Sequence, residues 1–416
     1  MKNTTLLILM SGALSLGAQD APAPAAPEEP ASPALLERDA LSGDWGGKRT
    51  QLADQGFEFT LEYTAEGFRN TSGGTSTGSV YNGLGYFGLD IDGGKAFGWS
   101  DTALRVSSLW THGTSIGQHT GDELTVSNMD AYDGLRLYEM YLEKSVDQWN
   151  IRAGNLLADE EFVGAEYGGV LLNAAFGQPA FWAANTLNTG PAFNVAGLGI
   201  RVRYDFNEAT YAQMGIYDGD TFDDAGGDAT INQHGTHFEL GNGQGWTSLY
   251  ELGYNQFNLD DVERPGWYRI GAWHHTADFT KHDSTTGKGN WGVYGAVDQL
   301  LVREEGTMDQ GLGGFVRAGW SQPDRSRFQW VVDTGLNYRG LLPGRDEDEA
   351  AIGFVYGRHS RSASDSSHEN VIEATYKYQL SPAVYVQPDI QWINRPSGDS
   401  SVDDALAIGL RIGFTF

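Results

Sequence analysis

The sequence predicts an all-β fold, a 16-stranded antiparallel transmembrane β-barrel preceded by a short periplasmic helix. Three observations carry that expectation. Segment after segment alternates apolar with polar residues at the two-residue period of a strand. Sixteen such segments can be counted, many about ten residues long, the length a tilted strand needs to cross a bilayer. Their connections alternate between tight turns and long polar loops, as in a ring of hairpins.

The chain begins with MKNTTLLILMSGALSLGAQ, in which Lys2 precedes an apolar run from Leu6 to Leu16 and small residues Ser15, Gly17 and Ala18 close it. That run is too short to span a membrane, so residues 1–19 read as a secretory signal peptide. Residues 20–40 follow as a Pro/Ala-rich linker, DAPAPAAPEEPASPA over 20–34, which has too few apolar side chains to bury a core. In 41–56, Ser42 or Asp44 offers a helix cap, a short helix is expected through about Ala53, and Gly56 stops it.

From Phe57 onward the helical period disappears and 57–416 is expected to form the barrel. In 57–67 one face carries Phe57, Phe59, Leu61, Tyr63 and Ala65 and the other Glu58, Thr60, Glu62, Thr64 and Glu66. In 101–110, Leu104, Val106 and Trp110 oppose Arg105 and Ser107; in 384–392, Val384, Val386, Ile390 and Trp392 oppose Tyr385, Gln387, Asp389 and Gln391. The same test gives strands at 57–67, 86–92, 101–110, 134–144, 149–155, 197–206, 209–217 and 246–255. It gives eight more at 266–275, 290–301, 311–320, 328–338, 348–357, 369–380, 383–393 and 404–416. Connections at 207–209, near 264 and at 381–383 read as tight turns, and 111–133, 218–245, 276–289 and 358–368 as long surface loops.

A soluble β-sandwich also alternates, but its second face need only be mixed, whereas here the apolar face is almost free of charge throughout. In lipid an unpaired backbone amide costs several kcal/mol, so a sheet there must close on itself. Tyr63, Trp110, Trp149, Tyr250, Tyr254, Trp291, Trp320, Trp330, Tyr338, Tyr376, Tyr378 and Trp392 fit aromatic girdles at the two membrane surfaces.

Composition excludes several functions. A net charge of −28 with only 27 basic residues argues against a nucleic-acid partner. Without cysteine there is neither a disulfide framework nor a thiolate metal site. The His234–His237 pair in HGTH lacks the glutamate and helical spacing of a zinc site, no GxSxG occurs, and YDGDTFDD at 217–224 lacks the pattern of a calcium loop. No catalytic residue, metal or cofactor is therefore expected, and the chain is not expected to be an enzyme.

Three stretches, LSGDWGGKRTQLADQG at 41–56, EATYKYQLSPAVYVQPDIQWINRPSG at 373–398 and GLRIGFTF at the C-terminus, resemble the carbohydrate-selective porins of the OprB type. The likeness runs over essentially the whole chain from residue 42. It implies a place in the cell outer membrane among lipid and lipopolysaccharide, and it implies that Phe416, ending an amphipathic last strand, is the signal read by the barrel-assembly machinery. Monomer and homotrimer both remain open.

A barrel of this size leaves an aqueous channel, so its function depends on what narrows it. The connection 156–196 is too long for a turn and too apolar for a free loop, with Phe162, Tyr167, Phe176, Phe181, Trp182 and Phe193; it is expected to fold inward as a constriction loop, the alternatives being an external cap or a subunit contact. Parity places Glu62, Glu66, Asp90, Glu139, Glu143, Asp205, Asp298 and Asp389 on the lumen face with Arg105, Arg152, Arg201, Arg203, Arg269, Arg317, Lys377 and Arg411. Rings of one sign concentrate an ion, whereas mixed Arg and carboxylate groups exchange hydrogen bonds with the hydroxyls of a neutral sugar, and an aromatic face takes its C–H groups. The expected constriction set is Arg105, Glu139, Arg152, Arg201 and Arg203 with Phe181 or Trp182 as the aromatic surface. The expected function is passive diffusion of small mono- and oligosaccharides. A general or cation-preferring porin is the nearest rival, followed by an outer-membrane enzyme or adhesin.

Overall fold

The computed structural model describes residues 34–416 except 225, 242, 258, 260, 261, 308, 309 and 361–366. The expected signal peptide and residues 20–33 of the linker lie outside the described residues.

Sixteen strands are found among the described residues. The first eight are β1 (Phe57–Ser72), β2 (Gly78–Asp92), β3 (Thr102–Gly113), β4 (Gly134–Val146), β5 (Trp149–Leu156), β6 (Gly197–Asp205), β7 (Thr210–Asp218) and β8 (Trp246–Asn255). The others are β9 (Gly266–Thr280), β10 (Thr286–Arg303), β11 (Gly311–Ser321), β12 (Phe328–Arg339), β13 (Glu349–His359), β14 (His368–Ser381), β15 (Val384–Asn394) and β16 (Ala405–Thr415). Every strand pairs with its neighbours in sequence, and β1 also pairs with β16, with Glu66 opposite Arg411 and Tyr63 opposite Phe414. The sheet is therefore closed and antiparallel throughout, leaving no edge amide to face lipid.

Each expected strand is present, and several run past their expected ends. The connection expected to be a long loop over 276–289 is mostly strand, with β9 reaching Thr280 and β10 starting at Thr286. Its polar residues still alternate, and the hydrogen-bonded ladder Thr286 to Thr280 and Lys288 to Asp278 extends the hairpin. The connection near residue 264 is longer than a tight turn, running over 256–265.

The N-terminal helix spans Lys48–Asp54 and is followed by Gly56 at φ 92°, a conformation that favours glycine. The N-cap position is Gly47 rather than the expected Ser42 or Asp44, although Asp44, three residues earlier, accepts from the Thr50 backbone N–H at 2.8 Å and from its hydroxyl at 2.9 Å. The helix is tied to the end of the chain by Arg49, whose guanidinium donates to the Phe416 carbonyl oxygen at 3.0 Å.

Side chains sort by parity. On β16, Ile408 and Leu410 point outward and are exposed, while Ala405, Ala407, Gly409, Arg411 and Gly413 point inward and are buried. Ile270, Val316, Ile352, Ile372 and Ile390 continue the apolar outer surface on other strands. The interior is not an open tube, because the segment between β5 and β6 packs inside it together with part of the β3–β4 connection. Phe162, Phe176, Phe181 and Trp182 from the former join Ile116, Leu124 and Val126 from the latter in one buried cluster with Phe68, Tyr294, Phe315 and Phe328 of the wall.

Candidate functional site

The infolded segment is fixed to the wall of β8–β15 by side chains that meet its backbone. Glu373 on β14 accepts from the N–H groups of Leu172 and, at 2.9 Å, Asn173. Glu251 on β8 accepts from Val163 N–H at 3.2 Å, and Asp298 on β10 from Tyr167 N–H at 3.2 Å. Arg317 on β11 donates to the carbonyls of Val163 at 2.9 Å, Ala175 at 2.9 Å and Phe176 at 2.7 Å, and its fourth contact is Asp333 at 2.8 Å. Gln387 on β15 closes the row by donating to Val170 O at 2.7 Å. A loop inside a barrel has backbone groups that water no longer reaches, and these partners satisfy them.

Glycines on the wall make room for the loop's rings. A Cβ on Gly313 would overlap Tyr167, one on Gly319 would overlap Phe181, and one on Gly353 would overlap Phe176. The neighbouring β3–β4 connection docks on the same side: Glu369 on β14 accepts from Glu123 N–H at 3.0 Å and Leu124 N–H at 2.8 Å, and Asn128 N–H donates to Leu172 O at 2.7 Å.

One half of the lumen is thereby filled. Arg269, Asp298, Arg317 and Asp333 have 0% of their side-chain surface exposed, whereas Arg105 and Arg152 keep 28% and 27%. Water-accessible charges of the strand wall lie along β2–β6, and a second set, Glu62 on β1, Glu349 on β13 and Lys377 on β14, lies elsewhere on the wall. Along β2–β6, Arg105 bonds Asp90 at 2.9 Å and lies 3.7 Å from Glu139. Next to it, Arg152 lies between Glu143 and Glu161 and over the Tyr141 ring at 4.8 Å. Arg201, directly opposite Arg152 in the sheet, bonds the other oxygen of Glu161 at 2.8 Å. Arg203 pairs with Asp205 at 2.7 Å and lies over the Tyr211 ring at 3.9 Å.

Five of the seven expected lumen residues, Arg105, Glu139, Arg152, Arg201 and Arg203, thus stand on four consecutive strands and form one patch. Phe181 and Trp182 do not join it. Both are 0% exposed: Phe181 stacks on Tyr294 at 5.7 Å over Gly319, and Trp182 is buried in the cluster with no hydrogen-bond partner for its Nε1 among the described residues. The aromatic rings expected to face a sugar are instead anchors, because an apolar loop inside a polar tube lowers its free energy by turning its rings to the wall.

Above the patch, a cavity of about 760 Å³ opens between the β3–β4 connection and the infolded segment. Asn128, Gln178, Asn188 and Asn194 line it with Tyr132, Tyr138, Phe193 and Phe222. Its carboxylates are Asp130, Asp159 and Glu160, and no Lys or Arg is among its lining residues. Arg136 holds the end of the segment by donating to Asn194 Oδ1 at 2.8 Å.

Several of these groups escaped the sequence reading. Asp333, Glu369 and Glu373 share the inward parity of their strands and could have been counted with the lumen charges. The acidic run Asp159-Glu160-Glu161, directly after a strand that carries Arg152, was the available signal for the loop's charged contact with the wall.

Comparison with known proteins agrees with this architecture. Residues 77–416 match the family model described as carbohydrate-selective porin, OprB family. Porin B of Pseudomonas aeruginosa is 24% identical over 436 residues, covering 90% of this chain and 91% of its own. The putative porin QuiX of Acinetobacter baylyi is 24% identical over 422 residues, covering 91% and 94%. A solved high-pH structure of Pseudomonas putida OprB superposes with a TM-score of 0.83 at 21% identity, over 92% of this chain and all of that one.

Proposed function

The chain belongs to the OprB family of carbohydrate-selective porins, and from that premise we propose that neutral sugars cross it along the β2–β6 side of the lumen, past Arg105, Glu139, Arg152, Arg201 and Arg203. It is an outer-membrane diffusion porin, a channel rather than an enzyme, and its family points to sugars as the solutes. The observation that carries the route is the charge alternation Asp90–Arg105–Glu139 and Glu143–Arg152–Glu161–Arg201, in which Asp90, Arg105, Glu143 and Arg152 are partly exposed while Glu139 and Arg201 are buried behind them.

A sugar entering this stretch exchanges water for partners of both kinds. Guanidinium N–H groups donate to its hydroxyl oxygens and carboxylates accept from its hydroxyl protons. Each such exchange, a bond to a charged group, contributes about 1.5–3 kcal/mol at most, and these groups already share their bonds with one another, so the solute is held and released without a deep well that would slow its exit. Because each charge already has an opposite neighbour, the patch attracts neither ion sign strongly. No energy source is required for a passage of this kind, and no catalytic step is part of it.

Liposome swelling tests the reading. Glucose or maltose is expected to enter well ahead of amino acids of similar size. Arg105→Ala or Glu139→Ala is expected to lower the ratio of sugar to amino-acid uptake. Equal rates for both solute classes in the unaltered protein would indicate a general pore, and an unchanged ratio in the variants would remove Arg105 and Glu139 from the route.

A further inference from the structure

The short helical turn Ala158–Glu161 follows the end of β5 and presents three consecutive carboxylates. Two are committed. Asp159 accepts from Phe193 N–H at 2.9 Å, and Glu161 is held by Arg152 and, at 2.8 Å, by Arg201. Glu160, between them, is exposed, makes no hydrogen bond or ion pair among the described residues, and lines the outer cavity. Burial pushes its carboxyl above the ordinary range and Glu161 adds to that, against Arg105 and Arg152, which act on it without contacting it.

The flanking anchors hold the backbone on both sides of Glu160, so its carboxylate stays at the border between two differently charged spaces. On one side is a cavity whose charged lining groups are all acidic. On the other is the wall patch with its arginines. Glu160 thus belongs both to the cavity lining and to the electrostatic surroundings of Arg105 and Arg152.

We propose that Glu160 is a specificity-determining residue, one that admits neutral and amino sugars and retards sugar acids and sugar phosphates. The inference rests on the sugar-channel reading above. A free carboxylate accepts hydrogen bonds from sugar hydroxyls and, more strongly, from an ammonium group. The same charge repels a carboxylate or phosphate on the solute at a range where physiological salt, with a screening length of about 8 Å, does not remove the effect.

The test compares the unaltered protein with E160Q in liposomes, using glucose, glucosamine and glucuronate, and in planar bilayers under a KCl gradient. E160Q keeps the side-chain volume and both flanking anchors, and glucose uptake in the same vesicles reports inserted channel. The expected result is a rise in the glucuronate-to-glucose ratio of about fivefold, the effect of one unit charge about 4 Å away in water, together with a reversal potential shifted away from cation preference. An unchanged ratio together with an unchanged reversal potential would overturn the assignment. If the unaltered protein admits no glucose, the sugar-channel reading falls instead, and the reversal potential, which needs no sugar, still decides whether Glu160 sets charge preference.

Discussion

Asp130 and Asp159 show how position within the lumen changes a single side chain. Burial pushes the Asp130 carboxyl up to about 6; the neighbouring carboxylates of Glu66 and Asp122 push the same way, against the bonds from Ser115 and Asn82. Burial likewise pushes Asp159 up to about 7, with Glu160 adding to it and the Phe193 N–H opposing. A carboxyl is neutral below its pKa and charged above it, so the outer cavity gains negative charge between about pH 5 and pH 8. Cation over anion preference, read as reversal potential under a KCl gradient, is therefore expected to rise across that interval. A flat profile would mean that neither group faces the ions. At this scale sequence parity located the lumen charges well, because a strand's period fixes which face a residue takes. It failed for Phe181 and Trp182, since a loop has no period from which to read orientation.

At the scale of elements, the decisive object is the pinned segment Leu157–Ala196. Arg317 makes one contact with Asp333 and three with loop carbonyls, all buried. Arg317→Met leaves Asp333 buried without its cation, which costs about 3–5 kcal/mol, and frees three carbonyls from the wall. Lower thermal stability, higher conductance and weaker sugar discrimination are expected together. The double variant Arg317→Met/Asp333→Leu separates the causes, because it removes the buried charge as well. Stability should largely return while conductance stays high and discrimination stays weak. Recovery of discrimination in the double variant would show that these pins do not shape the passage. The strands themselves were legible because lipid on one side and polar surface on the other enforce a clean alternation. The pins were not, since Glu373 and Leu172 or Arg317 and Ala175 meet only when the chain is folded.

The whole molecule depends on joining its two ends. β1 meets β16, Phe416 N–H donates to Leu61 O at 2.8 Å, and Arg49 reaches the Phe416 carbonyl. Deleting Phe416 removes two of these ties along with the terminal ring proposed as the assembly signal. The amount of barrel recovered in the outer-membrane fraction is expected to fall, and undiminished recovery would discard that role. Strand number and closure were readable from the sequence, because an even set of amphipathic strands in lipid has no other stable arrangement. The filling of the lumen beside β8–β15, on which the proposed route along β2–β6 rests, required the structure. The central claim is that a water path remains there and holds neutral sugars weakly as they pass. Single-channel recording in a planar bilayer, with glucose or maltose added stepwise, tests it most directly. The account predicts discrete open steps whose current falls reversibly as sugar is added; no steps at all, or steps that sugar leaves unchanged, would contradict it.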